Sequence, residues 1–201
     1  MSLPKPFYEA VRPSVLFARR DSLYKTLDCD VWDEDRNALL WPGGSPVVCH
    51  PPCRLWGELS HLSTADKREK WTGLFAVSAV RIFGGCLEHP KRSKLWNAAG
   101  LPAPKEGRDE YGGFTVAFPQ WWFGHPAEKW TWIYVCGIEP SKLPEIPLKI
   151  GEAEFKVTNG GTHPRKGEPG YRPEVTRYWR DATPPALADW LLTVAQLTWK
   201  A

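Results

Sequence analysis

The chain has 201 residues and a formal net charge of +3, with 42% hydrophobic and 24% charged residues, the make-up of one globular domain with a sizeable core. It contains no run of about eighteen apolar residues, so no transmembrane helix is expected. Its five cysteines fall at irregular spacing, which argues against a disulfide framework.

The N-terminus, Met1-Ser2-Leu3-Pro4-Lys5-Pro6, lacks an apolar signal core, so a cytoplasmic location and no membrane partner are expected. The mildly basic balance permits a polyanionic partner. Twelve tryptophans are core material first, and rings beside turns could also stack on bases.

Ser14-Val15-Leu16-Phe17 reads as a first strand, followed by a brief helix capped at Asp21-Ser22 and running to Leu27. Asp30-Val31-Trp32-Asp33 reads as a second strand, and Pro46-Val47-Val48-Cys49 as a third after the turn Pro42-Gly43-Gly44. Ser63 or Thr64 is the expected cap of a helix whose buried face is Trp71, Leu74, Phe75, Ser78, Ala79 and Ile82. Gly84-Gly85 ends it, and Cys86-Leu87 opens a fourth strand reaching Glu88-His89-Pro90.

Beyond a loop over 101–113, Phe114 to Phe118 and Trp130 to Val135 are strand candidates, and Glu152 to Val157 alternates like a short strand. Residues 159–171 read as a mobile loop carrying Arg165 and Lys166. A last helix starts near Pro184-Pro185, with Leu187, Trp190, Leu191 and Val194 on one face. Alternating short strands and helices predict one α/β domain over 1–201, a Rossmann-like open sheet with parallel strands and sites at their carboxyl ends.

Cys53 closes the loop His50-Pro51-Pro52-Cys53 just beyond the third strand. Two consecutive prolines fix φ and remove two backbone donors, so the thiol is held on a stiff loop, as a nucleophile requires. A structural thiol beside a proline turn is the alternative. Cys49, Cys53, Cys86 and His89 also offer a roughly zinc-like spacing, against which Cys49 and Cys86 read as packed thiols in buried strands. His50, His61 and His125 read as turn or surface histidines.

In their linear order these segments resemble the DNA cytosine-C5 methyltransferase family, as a reduced, phage-type member. Leu16-Phe17-Ala18 resembles the start of the cofactor motif, and Asp33 the ribose-holding acid after the second strand. Pro51-Pro52-Cys53 is similar to the Pro-Cys nucleophile loop, and Leu87-Glu88-His89-Pro90 to the Glu-Asn-Val segment. Gly124 to Lys129 resembles the Gln-x-Arg-x-Arg segment, and Asp181-Ala182-Thr183-Pro184-Pro185 the closing Asn-Ala-Val-Pro-Pro helix start.

The resemblance implies a sheet of the S-adenosylmethionine-dependent methyltransferase type, with Cys53, Glu88 and Lys129 as the catalytic trio. A thiolate adds at cytosine C6, a carboxyl group engages ring N3, and a cation holds both in place. It implies S-adenosylmethionine or a derivative as cofactor, contacted by Phe17, Ala18, Asp33, Pro52, Asp181 and Ala182. The partner is then DNA or a pyrimidine nucleotide, with Arg54, Trp56 and Arg165, and further Arg92, Lys94, Trp121 and Trp122, as candidate strand contacts.

Departures from the pattern are explicit. Arg19-Arg20-Asp21-Ser22 stands in place of the glycine-rich turn that lets backbone approach the cofactor. Residues 136–180 form only a short insertion where a target-recognition domain would be. A non-catalytic nucleic-acid-binding homologue is therefore the second reading, and metal binding through Cys49, Cys53, Cys86 and His89 the third.

Overall fold

The computed structural model describes residues 11–57, 60–157 and 164–199. They build an α/β fold on one six-stranded mixed sheet in the order β2-β1-β3-β4-β6-β5. The strands are β1 Ser14–Ala18, β2 Asp30–Asp33, β3 Val47–Cys49, β4 Gly85–Pro90, β5 Phe114–Pro119 and β6 Trp130–Cys136. The first four run parallel, whereas β6 pairs antiparallel with both β4 and β5. An all-parallel sheet, the sequence expectation, is therefore corrected to a mixed one.

β1, β3 and β4 are apolar on both faces because both faces are covered. Val15, Val48, Cys86, Ile133 and Val135 point toward helix α4 (Pro185–Thr198), and Leu16, Val47, Cys49, Leu87 and Tyr134 toward helix α1 (Lys70–Phe83). Gly85 is dictated by close strand approach, since a Cβ there would sit 1.9 Å from the Val47 carbonyl oxygen. Gly84, at φ 78°, takes the left-handed turn that ends α1. α4 begins with Pro185 in its first turn, where the missing N–H costs nothing, and buries Leu187, Trp190, Leu191 and Val194 as expected.

The face expected for α1 is corrected in part: Ala79 is buried as expected and Leu74 and Phe75 pack at its margin, but the centre shifts. Gly73, Ala76, Val77, Ala79 and Val80 are its buried residues, whereas Trp71 is 65% and Ile82 72% exposed. Small residues win because α1 lies close on β3 and β4 with Trp56 wedged beneath it: a Cβ on Gly73 would meet the Trp56 indole nitrogen at 2.8 Å. The cap also moves, to Asp66, whose carboxylate accepts the Arg68 N–H at 2.9 Å and starts a 3-10 turn leading into α1.

Glu152 to Val157 forms no strand; the segment makes isolated bridges, Phe155 with Ala127 and Lys156 with Glu174. Much of the expected mobile loop, 158–163, lies outside the described residues. Two short helices complete the chain, α2 (Leu95–Ala98) and α3 (Arg177–Asp181). Among the described residues no helix is long and apolar enough to cross a membrane.

From β1 the chain passes to β2 on one side and then to β3 on the other. That reversal leaves a crevice at the carboxyl ends of β1 and β3, where open α/β sheets bind ligands.

Candidate active site

The crevice between β1 and β3 holds a cleft of about 190 Å³, below the roughly 300–1,000 Å³ of ordinary small-molecule sites, so it suits a single ring. Phe17, Ala18, His50, Cys53, Glu88 and Lys129 all line it, as do Asp181 and Ala182. Seven of the residues expected from sequence are thereby brought together from five separated segments.

Each wall has a local cause. Phe17 is an extra residue in the β1–β2 ladder, which pairs Leu16 with Trp32 and then Ala18 with Asp33, and it sits at φ 62°. A bulky side chain in the left-handed region is strained, and such strain clusters at functional sites. Past the bulge, the Arg19 guanidinium forks onto Asp21 at 2.9 and 2.7 Å, donates to the Tyr178 carbonyl at 3.1 Å and lies 5.2 Å from that ring's centre. The His50 N–H donates to the Leu16 carbonyl at 3.0 Å, extending β3 by one residue before Pro51-Pro52 lead to Cys53. Trp56 and Gly57 N–H groups both donate to the Cys53 carbonyl at 2.9 Å, which fixes the turn that exposes the thiol.

Glu88 lies inside β4, opposite Ile133, one residue beyond the end of the β3–β4 pairing. Gln120 donates to its Oε1 at 3.1 Å, Thr131 donates to the same oxygen, and His50 Nδ1 lies 3.3 Å from Oε2. Burial pushes the Glu88 carboxyl upward, but the His50 bond and the Lys129 charge outweigh it and bring it down to about 2. Cys53 is shifted the opposite way: its enclosed position, and then the negative charges of Glu88 and Asp181, raise the thiol, with Lys129 opposing. At neutral pH the free cleft thus holds a thiol beside a carboxylate.

Three side chains tie the far wall down. Arg19, His125 and Lys129 donate to the carbonyls of Tyr178, Trp179 and Ala182, respectively, the last two at 2.7 and 3.1 Å. The Trp179 and Ala182 carbonyls lie at the α3 end, where backbone acceptors lack helical partners, and the Tyr178 carbonyl accepts the Ala182 N–H at 3.0 Å as well. His125 is buried, with Nδ1 accepting from the Ala127 N–H at 3.0 Å, so its expected surface role is corrected. Lys129 serves the cleft as charge and as tether together.

Other expected residues fall elsewhere. Asp33 is not in the cleft: its carboxylate binds Lys25 Nζ at 2.6 Å and accepts the Asp35 and Arg36 N–H groups, at 3.0 and 3.2 Å. The Lys25 bond and those amides hold its carboxyl below the usual range against a burial cost. Trp56, expected to touch a strand, is 5% exposed and packed under α1. Trp121 is likewise buried, under Lys149, and Arg165 lines neither the cleft nor its mouth. Pro52 and Arg54 border an outer groove beside Cys53, together with Arg19, Arg177 and Tyr178.

The cysteine–histidine set is dispersed. Cys49 Sγ approaches the Ala76 carbonyl on the α1 face, while Cys86 Sγ approaches the Leu191 carbonyl on the α4 face. Opposite faces of a sheet cannot share one ion, and no metal-holding group of three or more ligands occurs among the described residues.

Sequence reasoning missed His50 and Tyr24 as members of the site. The Tyr24 hydroxyl lies 3.0 Å from His50 Nε2. His50 had a usable signal, its place at the end of β3 two prolines before Cys53; Tyr24 had none.

Phe17, Ala18, Asp181 and Ala182 face the cleft, yet Asp33 is consumed by Lys25 and its own turn, and Arg19 fills the place of the glycine-rich turn. These residues do not make the ordinary S-adenosylmethionine seat. The chain matches no protein-family model, curated protein or solved structure.

Proposed function

We propose that this protein is a cytosine-C5 methyltransferase-like enzyme, acting on DNA or a pyrimidine nucleotide, in which Cys53 attacks ring C6. One observation carries the reading. An exposed thiol on a proline-braced loop, an engaged carboxylate and an ammonium line one ring-sized cleft at the point where the strand order reverses. The reversed β6, inserted between β4 and a β5 that runs parallel to β4, supports a sheet of the methyltransferase type.

The residues divide the work. Cys53 Sγ bonds to C6, Glu88 faces N3, where the displaced electron pair collects, and Lys129 lends its charge to the carboxylate while tethering the Ala182 carbonyl. In the groove outside the cleft Arg19 is paired with Asp21 and Arg54 with Glu69, so Arg177 is the cation offered to a phosphate there, and the exposed Tyr178 ring is a stacking surface. Methyl transfer with S-adenosylmethionine or a derivative belongs to this proposal only as its second half, since Asp33 and Arg19 are otherwise engaged. A binding protein that keeps the fold without the cofactor is the second reading, and that engagement favours it.

The test is covalent trapping. Oligonucleotides containing 5-fluorocytosine are incubated with the protein, with and without S-adenosylmethionine, beside Cys53→Ser. An adduct that requires Cys53 is expected. Adduct formation unchanged in Cys53→Ser would refute the nucleophile, and tryptophan fluorescence indifferent to millimolar S-adenosylmethionine would sink the methyl-transfer half.

A further inference from the structure

Glu88 sits in an arrangement that the addition step alone does not account for. His50 bridges it to Tyr24: the ring's Nδ1 is 3.3 Å from Glu88 Oε2 and its Nε2 is 3.0 Å from the Tyr24 hydroxyl. Tyr24 is buried at 1% exposure in the 3-10 turn Leu23–Thr26, and its ring packs on the imidazole at 5.4 Å between centres. Both nitrogens of His50 are thus held, and the ring still lines the cleft beside Cys53. A carboxylate bound by three donors is a good acceptor with no proton of its own to give. Nucleophilic addition to cytosine needs one at N3.

We propose that His50 is the positioning and proton-supplying residue of this site, delivering its Nδ1 proton through Glu88 to the N3 of a cytosine ring as Cys53 adds to C6. The inference rests on the addition chemistry proposed above. The balance is simple. The Sγ–H bond breaks and its proton leaves to solvent at the exposed cleft mouth, and the Sγ–C6 bond forms. The C5=C6 pair moves to C4–C5, and the C4=N3 pair moves onto N3. The His50 imidazolium gives its Nδ1 proton to Glu88 Oε2 as Glu88 gives one to N3, so that Glu88 ends as the carboxylate it began as and His50 ends neutral. Tyr24, whose phenol burial keeps protonated, cannot feed a proton onward; its oxygen accepts from Nε2–H and so holds the imidazolium in register.

The charged and titratable groups around His50 come from every neighbouring element. Tyr24 belongs to the 3-10 turn, Glu88 and His89 to β4, Cys53 to its own loop, Lys129 to the segment before β6, and Asp181 to α3. The Arg19–Asp21 pair after β1 is internally compensated. Of these, Glu88 and Tyr24 alone are hydrogen-bonded to the imidazole.

The test is exchange of the cytosine C5 hydrogen with solvent in a cytosine oligonucleotide, a readout of addition at C6 that needs no cofactor. His50→Asn keeps a donor facing Glu88 but has no proton to pass on, and it should lose about 10²-fold. His50→Ala should be as slow and should regain rate in proportion to added imidazole, a rescue that a merely structural role would not give. Tyr24→Phe should slow exchange with the fold retained, as judged by circular dichroism. A rate in His50→Asn within a few-fold of wild type, or no rescue of His50→Ala by imidazole, overturns the inference and leaves Cys53 as nucleophile. Absence of exchange and of trapping in the wild type overturns the addition chemistry itself.

Discussion

His89 makes an unusual demand on folding. It points to the α1 side of β4, 1% exposed, with its ring 6.2 Å from that of Trp96. The Pro52 carbonyl lies toward it, yet neither ring nitrogen makes a hydrogen bond of ordinary geometry. Burial pushes its pKa from 6.5 down to about 4, with Glu88 and the Pro52 carbonyl opposing. Between those values the unfolded chain binds a proton that the folded chain refuses. Stability is therefore complete above pH 6.5 and falls as pH drops toward 4.

Two and a half units at about 1.36 kcal/mol each give about 3 kcal/mol in full, of which about 2 kcal/mol is lost between pH 7.5 and pH 5. The window is chosen because Glu88, brought from 4.5 to about 2, begins to lose its contribution only below pH 4.5. Urea unfolding followed by tryptophan fluorescence at the two pH values measures the difference, and His89→Leu should remove about 2 kcal/mol of it while the depressed His125 keeps a share in both proteins. An unchanged pH difference in His89→Leu would show that the imidazole is solvated or paired, and the burial argument would be wrong.

Thiol labelling should be equally selective. Cys53 is exposed and the other four cysteines are buried, so a disulfide reagent should titrate one thiol in the native protein and five in denaturant; two fast native thiols would contradict the packing of β3 and β4. Glu88→Gln should slow C5 exchange by roughly 10²–10⁴-fold while leaving the fold intact by circular dichroism; a rate within a few-fold of wild type would remove Glu88 from the chemistry. Trp56→Ala should cost about 3–5 kcal/mol in urea unfolding, against about 0.5 kcal/mol or less for Trp71→Ala. The opposite ranking would restore the face of α1 expected from hydropathy. Arg177→Glu should weaken oligonucleotide binding and reduce the salt slope by about one, and an unaltered slope would take the outer groove out of phosphate contact.

Much of the site was legible because it is written in short segments. A strand followed by Phe17-Ala18, a Pro-Pro-Cys loop after another strand, and Glu88 after Cys86-Leu87 each carry a local pattern, and all three reach the cleft. Asp33 shows the limit of that approach. Its place at the end of β2 was correct, but Lys25, eight positions earlier, comes back through a 3-10 turn to take the carboxylate. Trp56 shows another, because a tryptophan in the turn Arg54-Leu55-Trp56-Gly57 looks presented until α1 closes over it.

Local sequence sets where the chain is extended, where it turns and which thiol stands on a stiff loop, since β-branched runs, paired prolines and paired glycines act on their own backbone. Only the tertiary structure decided which face of α1 is buried, that β6 runs backward between β4 and β5, and that His50 joins Tyr24 to Glu88. Those outcomes depend on close approach between segments far apart in sequence, 26 residues from Tyr24 to His50 and 38 from His50 to Glu88 in the histidine bridge. No local propensity encodes that approach, because its energy comes from packing and hydrogen bonding that exist only once the sheet is assembled.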